Sequence, residues 1–195
     1  MIDSTAIVDP SARIGENTRV GPWTSIGADV VIGEGCDIAS HVVIKGPSVI
    51  GNNNQIFQFS TVGDSTPDLK YAGEATKLLI GDNNVIREGV TIHRGTVQDR
   101  GETTIGNGNL LMAYVHVGHD CVVGDNTILV NNASLAGHVL VGDWAILSGY
   151  VLVHQFAHIG AHCFIGPGAF IYHDVPAFVT AFGSPAEPRT INREG

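Results

Sequence analysis

The stretch AIVDPSARIGENTRVGPWTSIGADVVIG (residues 6–33) carries a branched aliphatic residue at every sixth position. The step begins at Val8, runs without a break to Val62, resumes at Ile80 and resumes again at Ile105. All 25 of its positions are Ile, Leu or Val. Because a helix repeats its apolar face about every 3.6 residues and a simple strand alternates, neither explains a strict period of six.

A period of six is typical of a short strand followed by a corner. Three such units bring the chain once round a triangular coil of 18 residues. Stacked coils form parallel β-sheets on three flat faces around a narrow core. The sequence therefore predicts an all-β fold, a parallel β-helix over residues 1–175, followed by a tail over residues 176–195.

The residues beside each aliphatic are predicted to serve the corners and the core. Gly follows the aliphatic in many units, as at Gly15 and Gly51, and Asn52–Asn54 lies near another corner. Both residue types tolerate the positive φ that tight corners demand. Two residues before the aliphatic the side chain is small or β-branched, and all three cysteines occupy that position. The cysteines are thus expected to pack in the core, and not to form a disulfide or a zinc site.

Two polar segments interrupt the period. We name residues 64–77 the first loop and residues 94–104 the second loop. Insertions in a solenoid project from one face and often carry function. The first loop brings Asp68, Lys70 and Tyr71 close together, which favours a functional role, whereas a tolerated surface loop explains the second loop equally well.

Histidines gather along one edge of the predicted coil stack. Units three steps apart lie above one another, so the coil length of 18 residues places Ile92, Val117, Leu135, Val153 and Ile171 in one column. The first loop leaves from the same edge. The units of this column carry six of the nine histidines: His93, His116, His119, His138, His154 and His173. Imidazole titrates near neutral pH, so it serves as a general base or as a metal ligand.

Two mechanisms fit such a column. In acyl transfer, a histidine deprotonates a sugar hydroxyl that attacks a thioester; His119 with Asp120 beside it, and a backbone N–H at Gly137, fit these roles. A zinc hydratase needs three neutral imidazoles and an open coordination position. A purely structural solenoid leaves the histidine column and the first loop unexplained.

Charge and hydropathy limit the possible partners. The net charge is −9 and charged residues make up 15% of the chain, which disfavours nucleic-acid and membrane-surface binding. No run of apolar residues approaches the length of a membrane-spanning helix, and no secretion signal is recognisable. We expect a cytoplasmic protein without stable membrane insertion.

Beyond the period, the chain resembles the acyl-ACP–UDP-N-acetylglucosamine O-acyltransferases that begin lipid A synthesis. The matching segments are DLKYAGE (68–74), VTIHRGTVQ (90–98), HVGHDC (116–121), LAGHV (135–139), VHQF (153–156) and DVP (174–176). The segments in the two loops are the more specific ones, since many acyltransferases share the period of six. The resemblance implies a left-handed parallel β-helix assembled as a homotrimer with active sites between subunits.

The resemblance also implies roles for individual residues. His119 would be the general base, Asp120 its orienting carboxylate, and the Gly137 amide the oxyanion donor. The substrate-binding positions would be Asp68, Lys70, His93, His116, His138, His154, Gln155, Asn192 and Glu194. The donor would be a 3-hydroxyacyl group on the phosphopantetheine of acyl carrier protein and the acceptor UDP-N-acetylglucosamine, with no metal or dissociable cofactor.

The chain departs from the family pattern in two respects. The family continues into a helical C-terminal domain with a basic segment, which is missing from these 195 residues. Basic surface for an acidic carrier protein would then come from Lys70, Lys77, Arg87, Arg94 and Arg100. The segment that limits acyl-chain length in the family, its hydrocarbon ruler, maps around Phe164 to Gly168. Some members have Gly where this chain has Pro167, and the added bulk predicts a shorter accepted acyl chain.

Three alternatives stay open at this stage. One is the related N-acyltransferase of the same pathway, which has an extra N-terminal domain, whereas here the period begins by Val8. Another is a CoA-dependent hexapeptide acyltransferase. The third is a γ-type zinc carbonic anhydrase. The sequence also leaves open whether the acceptor group is a 3-hydroxyl or a 3-amino group.

Overall fold

The computed structural model describes residues 1–193, and the regular structure within them consists of β-strands. The strands are β1 Ile7–Val8, β2 Arg13–Ile14, β3 Arg19–Val20, β4 Ser25–Ile26, β5 Val30–Ile32, β6 Asp37–Ile38, β7 Val43–Ile44, β8 Ser48–Ile50, β9 Gln55–Ile56, β10 Thr61–Asp64, β11 Lys77–Ile80, β12 Val85–Ile86, β13 Thr91–His93, β14 Glu102–Ile105, β15 Leu110–Leu111, β16 His116–Val117, β17 Val122–Val123, β18 Ile128–Leu129, β19 Ser134–Leu135, β20 Leu140–Val141, β21 Ile146–Leu147, β22 Leu152–Val153, β23 His158–Ile159, β24 Phe164–Ile165, β25 Phe170–Ile171, β26 Val179–Phe182 and β27 Glu187–Ile191.

From β1 to β25, every third strand belongs to the same sheet, which confirms the predicted three-sided coil. Sheet I runs in the order β1-β4-β7-β10-β13-β16-β19-β22-β25 and sheet II in the order β2-β5-β8-β11-β14-β17-β20-β23. Sheet III runs in the order β27-β26-β24-β21-β18-β15-β12-β9-β6-β3. All neighbouring strands are parallel except β26 and β27. In sheet I, Val117 pairs with Ile92 on one side and Leu135 on the other, so the predicted histidine column lies along sheet I.

The aliphatic residues of the period form the core. Ile44, Ile92 and Leu135 have no exposed surface. Removing such a side chain from water contributes about 1.5–3 kcal/mol before the entropic cost of ordering the chain. The three cysteines are free and buried, as predicted. Burial raises the pKa of the Cys121 thiol to about 12, so the group stays neutral and donates to the Ala136 carbonyl over 3.0 Å.

The prediction of positive φ is confirmed for the Asn52–Asn54 corner, at Asn53, but it is wrong for glycines such as Gly15 and Gly51. The left-handed positions lie three residues after the aliphatic, and most are not Gly; examples are Asn53 (φ 54°), Phe59 (φ 65°) and Tyr150 (φ 60°). At Gly15 an added Cβ would lie 2.5 Å from the carbonyl carbon of Gly33 in the next coil. Gly is required there because backbones of successive coils approach too closely for a side chain.

Buried amide side chains connect the coils inside one corner. The Asn54 side-chain oxygen accepts the Asn84 N–H (2.9 Å), and the Asn84 oxygen accepts the Asn109 N–H (2.9 Å). The Asn109 oxygen in turn accepts the N–H and the hydroxyl of Thr127, both at 2.7 Å. This Asn ladder supplies buried partners for backbone N–H groups that would otherwise be unpaired.

The two loops emerge from the corner between sheets I and II. Strands β10 and β11 include Asp64 and Lys77, and β14 begins at Glu102, so the irregular parts are residues 65–76 and 94–101. Arg94 ties the loops to the coil: its guanidinium donates to the carbonyls of Gly46 and Gly63 and to the Tyr71 hydroxyl. The loops are therefore anchored against a rigid stack.

The predicted tail also contributes to the coil. Strand β26 adds to β24 in parallel, and β27 folds back antiparallel on β26. Ala181 of β26 is buried in the core. No helix among residues 1–193 has the length and hydropathy needed to cross a membrane.

Candidate active site

The centre of the site is the corner that follows β16. Val117 points into the core, so its neighbour His116 faces outward. His119, two residues after Val117, leads into the turn. The turn residue is Asp120, whose φ of 58° lies in the left-handed region that Asp tolerates better than most residues. The alternation of the strand and the corner thus place both imidazoles outside the core, although they are three residues apart in the chain.

Asp120 holds His119 in one orientation. Its carboxylate has no exposed surface and accepts His119 Nδ1–H at 2.9 Å. The Thr96 backbone N–H (2.9 Å) and hydroxyl (2.7 Å) donate to the same carboxylate. Because a carboxylate only accepts, the Nδ1 proton is fixed and the Nε2 of the neutral ring keeps its lone pair. His119 is therefore oriented to accept a proton at Nε2.

Gly137 lies directly against the His119 ring. An added Cβ at this position would be 2.5 Å from both Nε2 and Cε1 of His119. The Gly137 carbonyl accepts the Phe156 N–H, whereas its own N–H meets no protein acceptor within the described residues 1–193. An unpaired amide donor thus lies beside the imidazole nitrogen that is free to act as a base.

His138 forms the next part of the wall. Its ring meets the His119 ring edge-on, with centroids 4.8 Å apart, and stacks on Phe156 at 4.4 Å. Its Nδ1–H donates to the Asp99 carboxylate over 2.7 Å. Successive steps of 18 residues lead from Asp120 to His138 and then to Phe156, so the coil length could have identified Phe156 from the sequence. Asp99 and Thr96 gave no such signal, because the second loop lies outside the period.

The first loop closes the other side. Asp68 Oδ2 is 3.9 Å from His119 Nε2, and the other Asp68 oxygen accepts the Lys70 backbone N–H at 2.9 Å. His93 Nδ1–H donates to the Ser65 carbonyl at 2.8 Å, and the His93 and His116 rings are 5.4 Å apart. The structure therefore brings Asp68 to His119, and His93 to His116, along the edge from which the first loop was predicted to leave.

His116 differs from its neighbours in its electrostatics. Its Nδ1 is hydrogen-bonded to the Thr91 hydroxyl at 2.8 Å. Burial lowers the pKa of His116, and positive charge on His93 or His119 lowers it further. Since desolvation disfavours the charged form, His116 is held as a neutral polar group in the wall of the site.

Two cavities extend from this corner along the coil stack. One of about 350 Å³ is lined by Asp99, Arg100, His138 and Phe156, among others. The other, of about 470 Å³, is lined by Gln155, Phe156 and Tyr172, among others. The exposed Phe156 ring borders both, and His154 lies beside the second with its ring 6.0 Å from that of Tyr172. The site is an open groove and not a closed pocket.

Comparison with known proteins assigns the chain to a family. The family model for bacterial transferase hexapeptides (six repeats) matches residues 11–46 and 102–137. An acyl-ACP–UDP-N-acetylglucosamine O-acyltransferase of Stutzerimonas stutzeri A1501 is 69% identical over 195 residues, which are all of this chain and 76% of that protein. The enzyme of that name from Pseudomonas putida F1 is 67% identical over 194 residues, with 100% and 75% covered. This chain belongs to the acyl-ACP–UDP-N-acetylglucosamine O-acyltransferase family.

Solved structures agree with that membership. An LpxA from Acinetobacter baumannii superposes with a TM-score of 0.98 at 51% identity, covering 99% of this chain and 75% of that one. A UDP-N-acetylglucosamine acyltransferase from Arabidopsis gives a TM-score of 0.84 at 37% identity, covering 100% and 75%. The matches confirm the left-handed parallel β-helix, an exception to the right-handed crossover rule. The chain spans about three-quarters of the length of these O-acyltransferases.

Several residues that the O-acyltransferase resemblance assigned to the site lie elsewhere in this subunit. Asn192 is tied by its side-chain amide to the His162 carbonyl (2.9 Å), between sheets II and III. Phe164 belongs to sheet III, and Pro167 is exposed beyond it. Glu194 lies outside the described residues. One subunit therefore does not place Asn192, Phe164 or Pro167 on the sheet that carries His119.

Only part of the expected basic surface is available to a partner. Lys77 pairs with Glu102 at 3.0 Å, and Arg87 pairs with Glu88 at 2.9 Å. Arg94 is occupied by the loop contacts described above. Among the described residues, the Lys70 and Arg100 side chains have no carboxylate within ion-pair distance. Arg100 lines the cavity of about 350 Å³, and Lys70 is an exposed residue of the first loop whose backbone N–H donates to Asp68.

The donor set at the corner does not suit a three-histidine zinc centre. Ligand atoms of His119, Asp120 and His138 lie within 4.8 Å of one another. However, the Asp120 carboxylate already accepts three donors, and His138 Nδ1–H is directed at Asp99. This cluster supplies two imidazoles where a zinc hydratase needs three. The geometry favours proton transfer over metal coordination.

Proposed function

We propose that this protein transfers a 3-hydroxyacyl group from acyl carrier protein to the glucosamine 3-position of UDP-N-acetylglucosamine, an early step of lipid A biosynthesis. The supporting observation is the buried Asp120 that orients His119, with the Gly137 N–H unpaired beside the free Nε2. The names of relatives at 65–69% identity support an acyl group on acyl carrier protein as donor and UDP-N-acetylglucosamine as acceptor, whereas the 3-hydroxyacyl group and the 3-position are part of the proposal.

The first step uses His119 as general base. Nε2 removes the proton from the acceptor hydroxyl as its oxygen attacks the thioester carbonyl carbon. Asp120 lies 2.9 Å from Nδ1 and stabilises the imidazolium that forms. An oriented general base of this kind typically contributes 10²–10⁴-fold in rate.

The second step breaks the thioester. The Gly137 N–H donates to the oxyanion of the tetrahedral intermediate, where a fixed donor costs no reorganisation. The carbon–sulfur bond then breaks, the carrier thiol leaves with the proton held by His119, and the ester remains on the sugar. The reaction consumes no oxidant and needs no dissociable cofactor.

The remaining polar residues serve binding. Asp68, His93, His116, His138, His154 and Gln155 line the groove and offer donors and acceptors to sugar and acyl hydroxyls. Lys70 and Arg100 supply positive charge for the phosphates of the nucleotide sugar or the acidic carrier protein.

The active assembly is a homotrimer with sites between subunits. Asn192, Phe164 and Pro167 contribute to a site containing His119 only if another subunit brings sheet III alongside sheet I. The fully exposed Leu69 of the first loop and the half-exposed Val97 of the second loop supply apolar surface for that contact. Mixed trimers of His119→Ala and Asn192→Ala subunits should regain activity that neither parent has. Equal inactivity of mixed and parent trimers would argue against shared sites.

Pro167 shortens the accepted acyl chain. It stands exposed at the end of β24, where the family's ruler is expected. Acyl-ACP donors of several lengths, tested on the native chain and Pro167→Gly, should show a longer optimum for the variant. A preference of the native chain for the longest donor would contradict this role.

The decisive experiment is transfer from 3-hydroxyacyl-ACP to UDP-N-acetylglucosamine. His119→Ala should lose at least about 10²-fold in kcat, while His41→Ala, an exposed histidine at a sheet III corner, should not change it. A 3-amino sugar nucleotide in a parallel reaction identifies the acceptor group. Unchanged turnover in His119→Ala, or stoichiometric zinc with hydratase activity, would refute the proposal.

A further inference from the structure

The second loop supports both imidazoles at the centre of the groove. Thr96 donates twice to Asp120, which holds His119, and Asp99 accepts from His138 over 2.7 Å. A turn fixes the spacing of these two supports, since the Thr96 carbonyl accepts the Gly101 N–H at 2.9 Å. The loop therefore acts on two neighbouring rings from one side.

His138 is restrained on three sides. Its backbone has a φ of 65° and its N–H donates to the His119 carbonyl at 2.9 Å. Its ring stacks on Phe156 with an interplanar angle of 10°. Asp99 then determines the position of the ring proton, because its carboxylate contacts Nδ1 and can only accept a hydrogen bond, so Nδ1 must carry the proton. Nε2 is left as the ring atom that accepts a hydrogen bond.

Asp99 also separates two rings that share a neighbour. His138 Nδ1 lies 4.0 Å from Asp120 Oδ2, the same oxygen that accepts His119 Nδ1–H at 2.9 Å. Without Asp99, a small rotation would let His138 donate to Asp120. His119 would then compete for the carboxylate that orients it.

We infer that Asp99 is a positioning residue: it keeps His138 as the Nδ1–H tautomer and away from Asp120, so that His138 Nε2 accepts a hydrogen bond from a substrate hydroxyl. The substrate contact rests on the proposed acyltransfer, whereas the tautomer and the competition for Asp120 do not. The two parts are therefore tested separately.

The first test is independent of activity. Nitrogen-15 NMR of ¹⁵N-histidine-labelled protein distinguishes protonated from unprotonated ring nitrogens, and His138→Gln identifies the signals of His138. In the native chain His138 should be a single Nδ1–H tautomer, and Asp99→Ala should introduce the Nε2–H form or shift the His119 signals. An unchanged tautomer and unchanged His119 signals in Asp99→Ala would overturn the inference.

The second test is a double-mutant cycle on kcat/KM. Asp99→Ala should lose about tenfold, or about 1.4 kcal/mol, and Asp99→Asn should recover part of it because an amide oxygen still accepts Nδ1–H. In a His138→Gln background, Asp99→Ala should have no further effect, since contacting residues are not additive. An equal loss in both backgrounds would show that Asp99 acts without His138 and would overturn the inference.

A matched control excludes a general effect on the loop. Glu102→Gln removes a carboxylate from the same loop, one that pairs with Lys77 at 3.0 Å and does not touch the histidines. It should leave kcat/KM and the His138 tautomer unchanged. If the native chain transfers no acyl group, the proposed function fails. The NMR result still decides whether Asp99 fixes the tautomer of His138. A loss of the His138 tautomer in Glu102→Gln equal to that in Asp99→Ala would overturn the specific role.

Discussion

Gly137→Ala should remove activity without unfolding the protein. The new methyl carbon would lie 2.5 Å from Nε2 and Cε1 of His119, whereas unstrained carbon contacts are about 3.5–4.0 Å. The His119 ring must therefore move by roughly 1 Å, which lengthens its 2.9 Å hydrogen bond to Asp120. A displacement of roughly 1 Å at a reacting group costs about 10²-fold, or about 2.7 kcal/mol of transition-state stabilisation. Steady-state kcat for acyl transfer measures the loss.

Stability should change little, for two reasons. Gly137 does not have positive φ, so Ala introduces no backbone strain, and the three nearest contacts of the added carbon are all with the movable His119 side chain. Gly27→Ala is the matched control, because its nearest contact would be an ordinary 3.5 Å. Gly15→Ala should do the reverse and lower the unfolding temperature, since its methyl group meets backbone at 2.5 Å.

Two results would refute this reasoning. A Gly137→Ala enzyme with kcat within twofold of the native value would mean that His119 has room to spare. Equally, if Gly137→Ala lowered the residual rate of His119→Ala by the same factor as that of the native enzyme, the methyl group would act on something other than the His119 ring.

Three further predictions follow from the same geometry. Asp120→Asn should lower kcat by about 10-fold to 10²-fold with little change in KM, because the orienting carboxylate is lost; a change confined to KM would contradict this. The pKa of His116 is lower in the folded chain than in the unfolded chain. Below about pH 6.5 the unfolded chain therefore binds a proton more readily than the folded chain, so the free energy of unfolding falls as pH falls. Thermal unfolding from pH 7.5 to 5.5 should show a smaller decrease for His116→Gln, and equal decreases would oppose the assignment. Asn84→Ala should lower the free energy of unfolding by about 2–4 kcal/mol in urea melts. The reason is that the Asn109 N–H and the Gly106 carbonyl lose their hydrogen-bond partner. A change under about 1 kcal/mol would mean that other groups replace the Asn84 side chain.

The period of the sequence was sufficient to predict the three-sided parallel coil and the edge along which the histidines lie, whereas its left-handed sense came from the family resemblance. Once one aliphatic occurs in every six residues, the triangular coil follows, and residues 18 apart must stack, as Val117 and Leu135 do. The same arithmetic placed His116 and His119 on one edge with the first loop. Each of these predictions depends only on spacing along the chain, which is why it could be made without coordinates.

Features that depend on distances between coils could not be predicted in this way. The role of Gly15 follows from how closely two backbones approach, and that of Gly137 from where the His119 ring lies. Asp99 lies outside the period, and its contact with His138 depends on the shape of a loop. Thr96 and Asp99, which support the site from the second loop, were therefore missed by sequence reasoning.

The left-handed corners offer a route to a more thermostable protein. Phe59 and Tyr150 adopt positive φ with exposed aromatic side chains, and for a bulky L-residue this conformation costs about 1–2 kcal/mol. Both follow strands of sheet III, away from the corner that carries His119. Asn or Gly at such corners relieves the strain, and because repeats contribute to stability almost independently, the gains should accumulate along the stack. The regular coil can therefore be improved one corner at a time, with the His119 corner left as it is.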